Sequence, residues 1–222
     1  PPALTPDTPL APLPDLGVDW PDLTITGAGE GEATPTAPVA ELVRYDYRIS
    51  GLDTVADALF RQRFDGLSTL RAHVGDPANA AQVDRRARED AALLITLLRG
   101  AGYYDARVET SVALEAGKPV VTLAVTAGQR YTLAEVAAPG LAEAGAASDA
   151  LRRAFGVGVA DPVDADKIAE GTAELRAQLA ERGFPFAKVA EPSVVIDHAT
   201  GRAALNLAVD PGGARVFGAI TT

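Results

Sequence analysis

The chain has 222 residues, no Cys and a formal net charge of −10. That composition excludes a disulfide framework and a Cys-based metal site, and it argues against nucleic acid and anionic membrane surfaces, which both need a positive face. No run approaches the ~20 consecutive apolar residues of a spanning helix.

Residues 1–40 hold nine of the sixteen prolines, six acids and no Lys or Arg. Such a stretch buries too little apolar surface to offset its ordering entropy. It reads as an extended, mostly disordered leader. Its apolar interruption, Leu16, Val18, Trp20, Leu23 and Ile25, carries a second reading, a short segment that docks on a folded neighbour through Trp20. The start at Pro1 predicts a processed or excised chain, and the absence of Cys suits an oxidising compartment.

Residues 43–52 alternate apolar and polar, the period of a half-buried strand. Gly51 ends it, and Asp53 is placed to cap a helix with Val55, Leu59 and Phe64 on its inner face. After a loop at Gly75-Asp76-Pro77 a long helix is predicted from Asn79 to Ala101. Its apolar stripe is Val83, Ala87, Ala91, Leu94 and Leu98, and Gly100 and Gly102 stop it. Tyr104 to Leu114 reads as a strand, Lys118-Pro119 as a turn and Val120 to Val125 as the return strand.

The chain then repeats itself. Gly102-Tyr103-Tyr104-Asp105-Ala106-Arg107-Val108 recurs as Gly183-Phe184-Pro185-Phe186-Ala187-Lys188-Val189. The elements recur too: a strand at Leu133–Ala138, a short helix capped by Ser148 with Leu151 and Phe155, and a long helix at Asp164–Arg182. A hairpin of Phe186–Ile196 and Ala203–Val209 completes the copy. Two small modules, 41–128 and 129–212, are therefore predicted. Residues 213–222, with Val216-Phe217-Gly218-Ala219-Ile220, read as the first strand of a truncated third. Chain direction makes the first and last strands of each module parallel. A right-handed crossover sets them side by side. The expected fold is α+β: a three-stranded mixed sheet in the order 2-3-1, covered on one face by two helices, with the middle strand on an open edge.

A βααββ repeat whose long helix ends in Gly-Tyr-Tyr resembles the POTRA (polypeptide-transport-associated) domain of the Omp85 superfamily. The run Leu98-Arg99-Gly100-Ala101-Gly102-Tyr103-Tyr104-Asp105-Ala106 is most similar to its translocation and assembly module (TamA) branch. The second copy departs from this run, with Phe184-Pro185 in place of Tyr103-Tyr104. The resemblance implies a periplasmic location, tethered to the outer membrane by a C-terminal barrel. It implies unfolded outer-membrane or autotransporter polypeptides as clients and a possible periplasm-spanning partner subunit. A POTRA-like scaffold or tether in secretion or cell division is the alternative; a single membrane helix in place of a barrel after Thr222 would distinguish it.

Catalytic chemistry is not indicated. His73 and His198 are placed on loops, where a lone His is solvated. Gly27-Ala28-Gly29-Glu30-Gly31 lacks the flanking strand and helix of a phosphate loop. Asp161, Asp164 and Asp166 fit capping and helix-dipole roles at a helix start better than Ca²⁺ ligation. Nothing assembles a nucleophile, base and orienter, so no enzyme activity, cofactor or metal is expected. An open strand edge instead recruits another extended chain. The candidate edges are Ala106, Arg107, Val108, Glu109 and Thr110, and Ala187, Lys188, Val189 and Ala190. The candidate hinges are Gly128, Gln129 and Arg130, and Gly212 and Gly213.

Overall fold

A computed structural model describes residues 42–214; the leader with Trp20 and the third-module strand lie outside that range. In chain order the elements are β1 (Asp46–Ser50), α1 (Ala58–Leu67), α2 (Thr69–Ala72), α3 (Ala80–Gly100), β2 (Arg107–Glu115) and β3 (Lys118–Thr126). There follow β4 (Thr132–Ala137), a 3-10 helix (Leu141–Ala147), α4 (Ser148–Phe155), α5 (Ala165–Glu181), β5 (Lys188–Val189), β6 (Ser193–Asp197), β7 (Arg202–Asn206) and β8 (Val209–Asp210).

The sheets run β1-β3-β2 and β4-β7-β6, with β5-β8 as a separate pair. Each first strand is parallel to the central strand and each hairpin is antiparallel. The predicted 2-3-1 order and the α+β class hold in both copies. Each module closes its own core: Tyr45, Phe64, Leu94, Leu98, Val121 and Leu123 in the first, Tyr131, Leu151, Phe155, Leu175, Leu179 and Leu205 in the second.

The long helices start where their caps lie. Asn79 accepts from the Gln82 N–H while the Gln82 side chain accepts from the Asn79 N–H, a reciprocal capping box. Asp164 accepts from the N–H groups of Asp166 and Lys167. Both helices run into a glycine at positive φ, Gly102 at 93° and Gly183 at 90°, which turns the chain into the hairpin.

Five local predictions are corrected. The cap of α1 is Asp57, which accepts from the Phe60 N–H at 2.8 Å. Residues 52–56 form a turn, closed by bonds from Val55 and Ala56 to the Leu52 carbonyl, so Asp53 stands one turn too early. The inner face is consequently Phe60 and Phe64, with Leu59 rotated out to 50% exposure and Val55 partly buried against the core. Ser148 is the first residue of α4 and not its N-terminal cap; the 3-10 helix feeds directly into α4 and leaves no room for an extended capping residue. The first hairpin turns at Ala116-Gly117, both at positive φ (49° and 80°), and Lys118-Pro119 begin β3. The second hairpin is broken into β5/β8 and β6/β7, with Pro192, which has no N–H to donate, in the gap.

Candidate protein-binding edge and the joint between modules

The two-residue turn sets the direction of every backbone group in β2. In such a hairpin the flanking pair, Glu115 and Lys118, exchanges hydrogen bonds, and bonding then alternates along the ladder. The N–H and C=O groups of Val108, Thr110, Val112 and Leu114 therefore point away from β3. Pro119 sits opposite Leu114, a non-bonded position where its missing donor costs nothing. Among the described residues β2 pairs with β3 alone. Its outer border is an unpaired edge.

The side chains beside that edge differ by face. Val108, Thr110, Val112 and Leu114 lie opposite Val125, Leu123, Val121 and Pro119 on the helix side. Towards the hairpin tip the strand outruns its helical cover, leaving Val112 56% and Leu114 77% exposed. The open face is polar: Arg48 reaches across β3 to Glu115 and Thr122, and Lys118 pairs with Asp46 at 2.7 Å.

The candidate edge residues are placed unequally. Arg107, Val108, Glu109 and Thr110 lie in β2. Ala106 is buried in the preceding turn, where its N–H is already bonded to the Tyr103 carbonyl. In the second module Lys188 pairs with Asp210, the Ala190 N–H bonds the Ala208 carbonyl and the Ala187 N–H bonds Phe184. Val189 faces outward by the same alternation, yet its carbonyl accepts from Arg176 of α5 at 3.1 Å. That edge is short and partly capped by a side chain. The longer open border there is β6, which among the described residues pairs only with β7.

The joint is densely bonded. Arg130 donates from Nε to the Ala101 carbonyl at 2.8 Å and from Nη2 to Asp164 at 3.0 Å. It thus ties the end of α3 to the cap of α5, and its guanidinium lies 5.9 Å from the Tyr103 ring centre. Arg63 of α1 bonds Asp166 at 2.5 Å. The Tyr131 N–H donates to the Gly102 carbonyl at 2.9 Å. Gly102 fits closely here, since a Cβ would stand 2.4 Å from the Val163 carbonyl oxygen. Of the other candidate hinges, Gly128 is at φ 74°, Gly212 at 67° and Gly213 at 77°, and the Gln129 amide packs against Gly201.

A polar cluster that sequence reading did not assemble completes the joint. The Tyr131 hydroxyl donates to Asp105 Oδ2 at 2.7 Å. His198 Nδ1 lies 3.0 Å from Asp105 Oδ1 and 3.1 Å from the Tyr131 oxygen. A carboxylate only accepts, so Nδ1 carries the proton and donates to Asp105. His198 is thus engaged rather than merely solvated. The Tyr131 ring packs edge-on against Tyr104 and His198. His198 stands 93 positions from Asp105, beyond the reach of any periodicity.

These contacts shift two acids. Hydrogen bonds from Tyr131, then from His198, hold the Asp105 carboxyl below its ordinary 3.8. Burial, then the bond to Asp105, pushes the Tyr131 phenol up to about 12. A depressed carboxyl contributes stability that is present above its unfolded value and disappears as pH falls through its folded value. The chain is therefore expected to lose stability from pH 3.8 downward through Asp105, and Asp105→Asn is expected to flatten that limb of a denaturation-versus-pH curve. Parallel acid limbs for both proteins would contradict the assignment.

Residues 141–212 match the sequence model of the POTRA family, described as a surface antigen variable number repeat. The match falls on the second module, the copy with the less typical Gly-Phe-Pro-Phe run. No curated protein matches the chain. Among solved structures it is similar to POTRA domains 3–5 of BamA from Haemophilus influenzae, at 22% identity over 79% of this chain and 67% of that one, TM-score 0.40. It is also similar to POTRA domains 1–3 of the periplasmic domain of Omp85 from Anabaena, at 18% identity over 75% and 61%, TM-score 0.37. A third is CdiB from Escherichia coli, at 16% identity over 83% of this chain and 29% of that one, TM-score 0.33. Among the described residues no helix is long and apolar enough to cross a membrane.

Proposed function

We propose that this chain is a periplasmic protein-interaction part of an outer-membrane assembly or translocation protein. In this reading it holds extended client or partner polypeptides by strand addition and presents them towards a C-terminal barrel. The TamA branch is the finer assignment, motivated by the Leu98–Ala106 run. One observation carries the reading: β2 offers outward-facing backbone groups at Val108, Thr110, Val112 and Leu114, flanked by exposed apolar side chains at Val112 and Leu114. A guest strand with apolar residues on one face and polar on the other fits that border. Each hydrogen bond contributes ~0.5–1.5 kcal/mol net against the cost of ordering the guest, so capture is weak and sequence-tolerant, as suits a client that must be passed on. The braced joint acts as a stiff spacer between the two modules.

The test is titration of isotopically labelled protein with an amphipathic strand peptide, followed by amide NMR shifts. Shifts are expected along residues 108–114. Val112→Pro removes an outward N–H without breaking the β3 ladder, and it is expected to weaken the peptide about tenfold, ~1.4 kcal/mol, with little change in melting. Shifts confined to the helices, or undiminished binding by Val112→Pro, would sink the reading.

A further inference from the structure

A groove of about 480 Å³ opens in the second module, between β4 and the turn joining α4 to α5. Its floor is core: Leu141, Phe155, Leu175 and Leu207 are all buried. Val159 stands on its lip, 64% exposed.

The edge of β4 supplies the groove with hydrogen-bonding groups. Upstream that edge is already paired: the Leu133 N–H donates to the Asp161 carbonyl at 2.8 Å, and the Ala160 N–H to the Leu133 carbonyl at 2.8 Å. A bulge at Ala134 then shifts the register. Beyond it the Ala137 carbonyl accepts from the Leu207 N–H at 2.9 Å, so Ala137 faces inward. Alternation turns the N–H and C=O of Val136 outward, into the groove that Val136 lines.

The rim supplies charge. Arg152 and Arg153, exposed near the end of α4, both line the groove. Neither forms an ion pair among the described residues; Arg153 Nε donates to the Asp149 carbonyl at 3.2 Å. The acid on the other lip, Asp161, accepts from the Gly158 N–H and lies 4.0 Å from Lys167. In a chain of net charge −10, two adjacent uncompensated guanidinium groups over an apolar floor complement carboxylates.

We propose that this groove binds an extended partner polypeptide carrying acidic side chains between apolar ones. One guest residue bridges Val136 through two backbone hydrogen bonds. A neighbouring apolar side chain enters over Phe155 and Leu207, and a carboxylate meets Arg152 and Arg153. The site lies on a different module and a different strand from the β2 edge, so it stands or falls independently of that reading.

The experiment uses a fluorescent, end-blocked peptide of alternating Leu and Glu, with a Leu/Lys peptide as control. Binding is measured by anisotropy against the full chain, against Arg152→Glu/Arg153→Glu, which alters only exposed side chains, against Val159→Trp, which fills the groove, and against Val112→Pro. The Leu/Glu peptide is expected to bind the chain at least tenfold more tightly than the Leu/Lys peptide. The double reversal is expected to invert that preference, Val159→Trp to weaken both peptides, and Val112→Pro to leave the preference intact, with amide shifts at Val136 and Gly156–Val159. Equal binding of the two peptides, loss of the preference in Val112→Pro alone, or a self-association abolished by the double reversal, which would make a second copy the occupant, overturns the proposal.

Discussion

Gly140→Ala is expected to destabilise the second module by about 2–5 kcal/mol, from ~1–2 for the left-handed conformation and ~1–3 for the forced displacement. Gly140 follows β4 at φ 84°, and a Cβ there would stand 1.9 Å from the Val209 carbonyl oxygen. That oxygen is backbone and cannot swing away. The first module repeats the arrangement: Gly51 follows β1 at φ 82°, with a Cβ position 2.0 Å from the Val125 carbonyl oxygen. In both copies the chain leaving the first strand passes over the end of the hairpin at a distance only hydrogen permits. Gly117 separates the two costs, because it has φ 80° but nothing within 4 Å of its Cβ position. Thermal melting should therefore fall far more for Gly140→Ala than for Gly117→Ala. Equal losses would show that conformation alone matters and that the close approach is relaxed in solution.

Asp90→Ala is expected to cost about 3 kcal/mol or more, since it strands several buried donors at once. Asp90 is 1% exposed on the inner face of α3. It accepts from the Ser68 hydroxyl, the Thr69 N–H at 2.8 Å, the Thr69 hydroxyl at 3.0 Å and the Leu70 N–H at 3.2 Å. One carboxylate thus satisfies the start of α2 and fixes the bend between α1 and α3. Asp90→Asn, with a single acceptor oxygen, should fall between Ala and the parent in chemical denaturation. Should Asn prove as damaging as Ala, the charge and not the count of acceptors is what the site requires.

Asp90 also marks the boundary of what the sequence discloses. The stripe Val83, Ala87, Ala91, Leu94, Leu98 was legible because its 3.6 period is a property of neighbours. Asp90 lies on that same face, three residues after Ala87, and an acid inside an apolar stripe is a signal that a stricter reading would have taken. The long helices were placed within a residue or two because Asn79, Asp164, Gly102 and Gly183 combine capping chemistry with the repeat. The 3-10 helix at Leu141–Ala147 was not, since Leu-Ala-Glu-Ala-Gly-Ala-Ala has no clear apolar period and kinks at Gly145 (φ 58°, ψ −127°). The split of the second hairpin depends on Pro192 falling within a run that otherwise alternates like an unbroken strand. Of the candidate sites, the β2 edge followed from chain direction and handedness. The groove beside β4 did not, because a bulge at Ala134 and the aim of two arginines are consequences of packing.

Tyr131 sits fully buried in the second core while its amide and its hydroxyl are both spoken for by residues of the first module, Gly102 and Asp105. A ring held at both ends is the kind of brace that the proposed stiff spacer calls for. In the proposed reading it works as a shared strut: together with the Arg130 and Arg63 contacts it would carry a load on one sheet into the other.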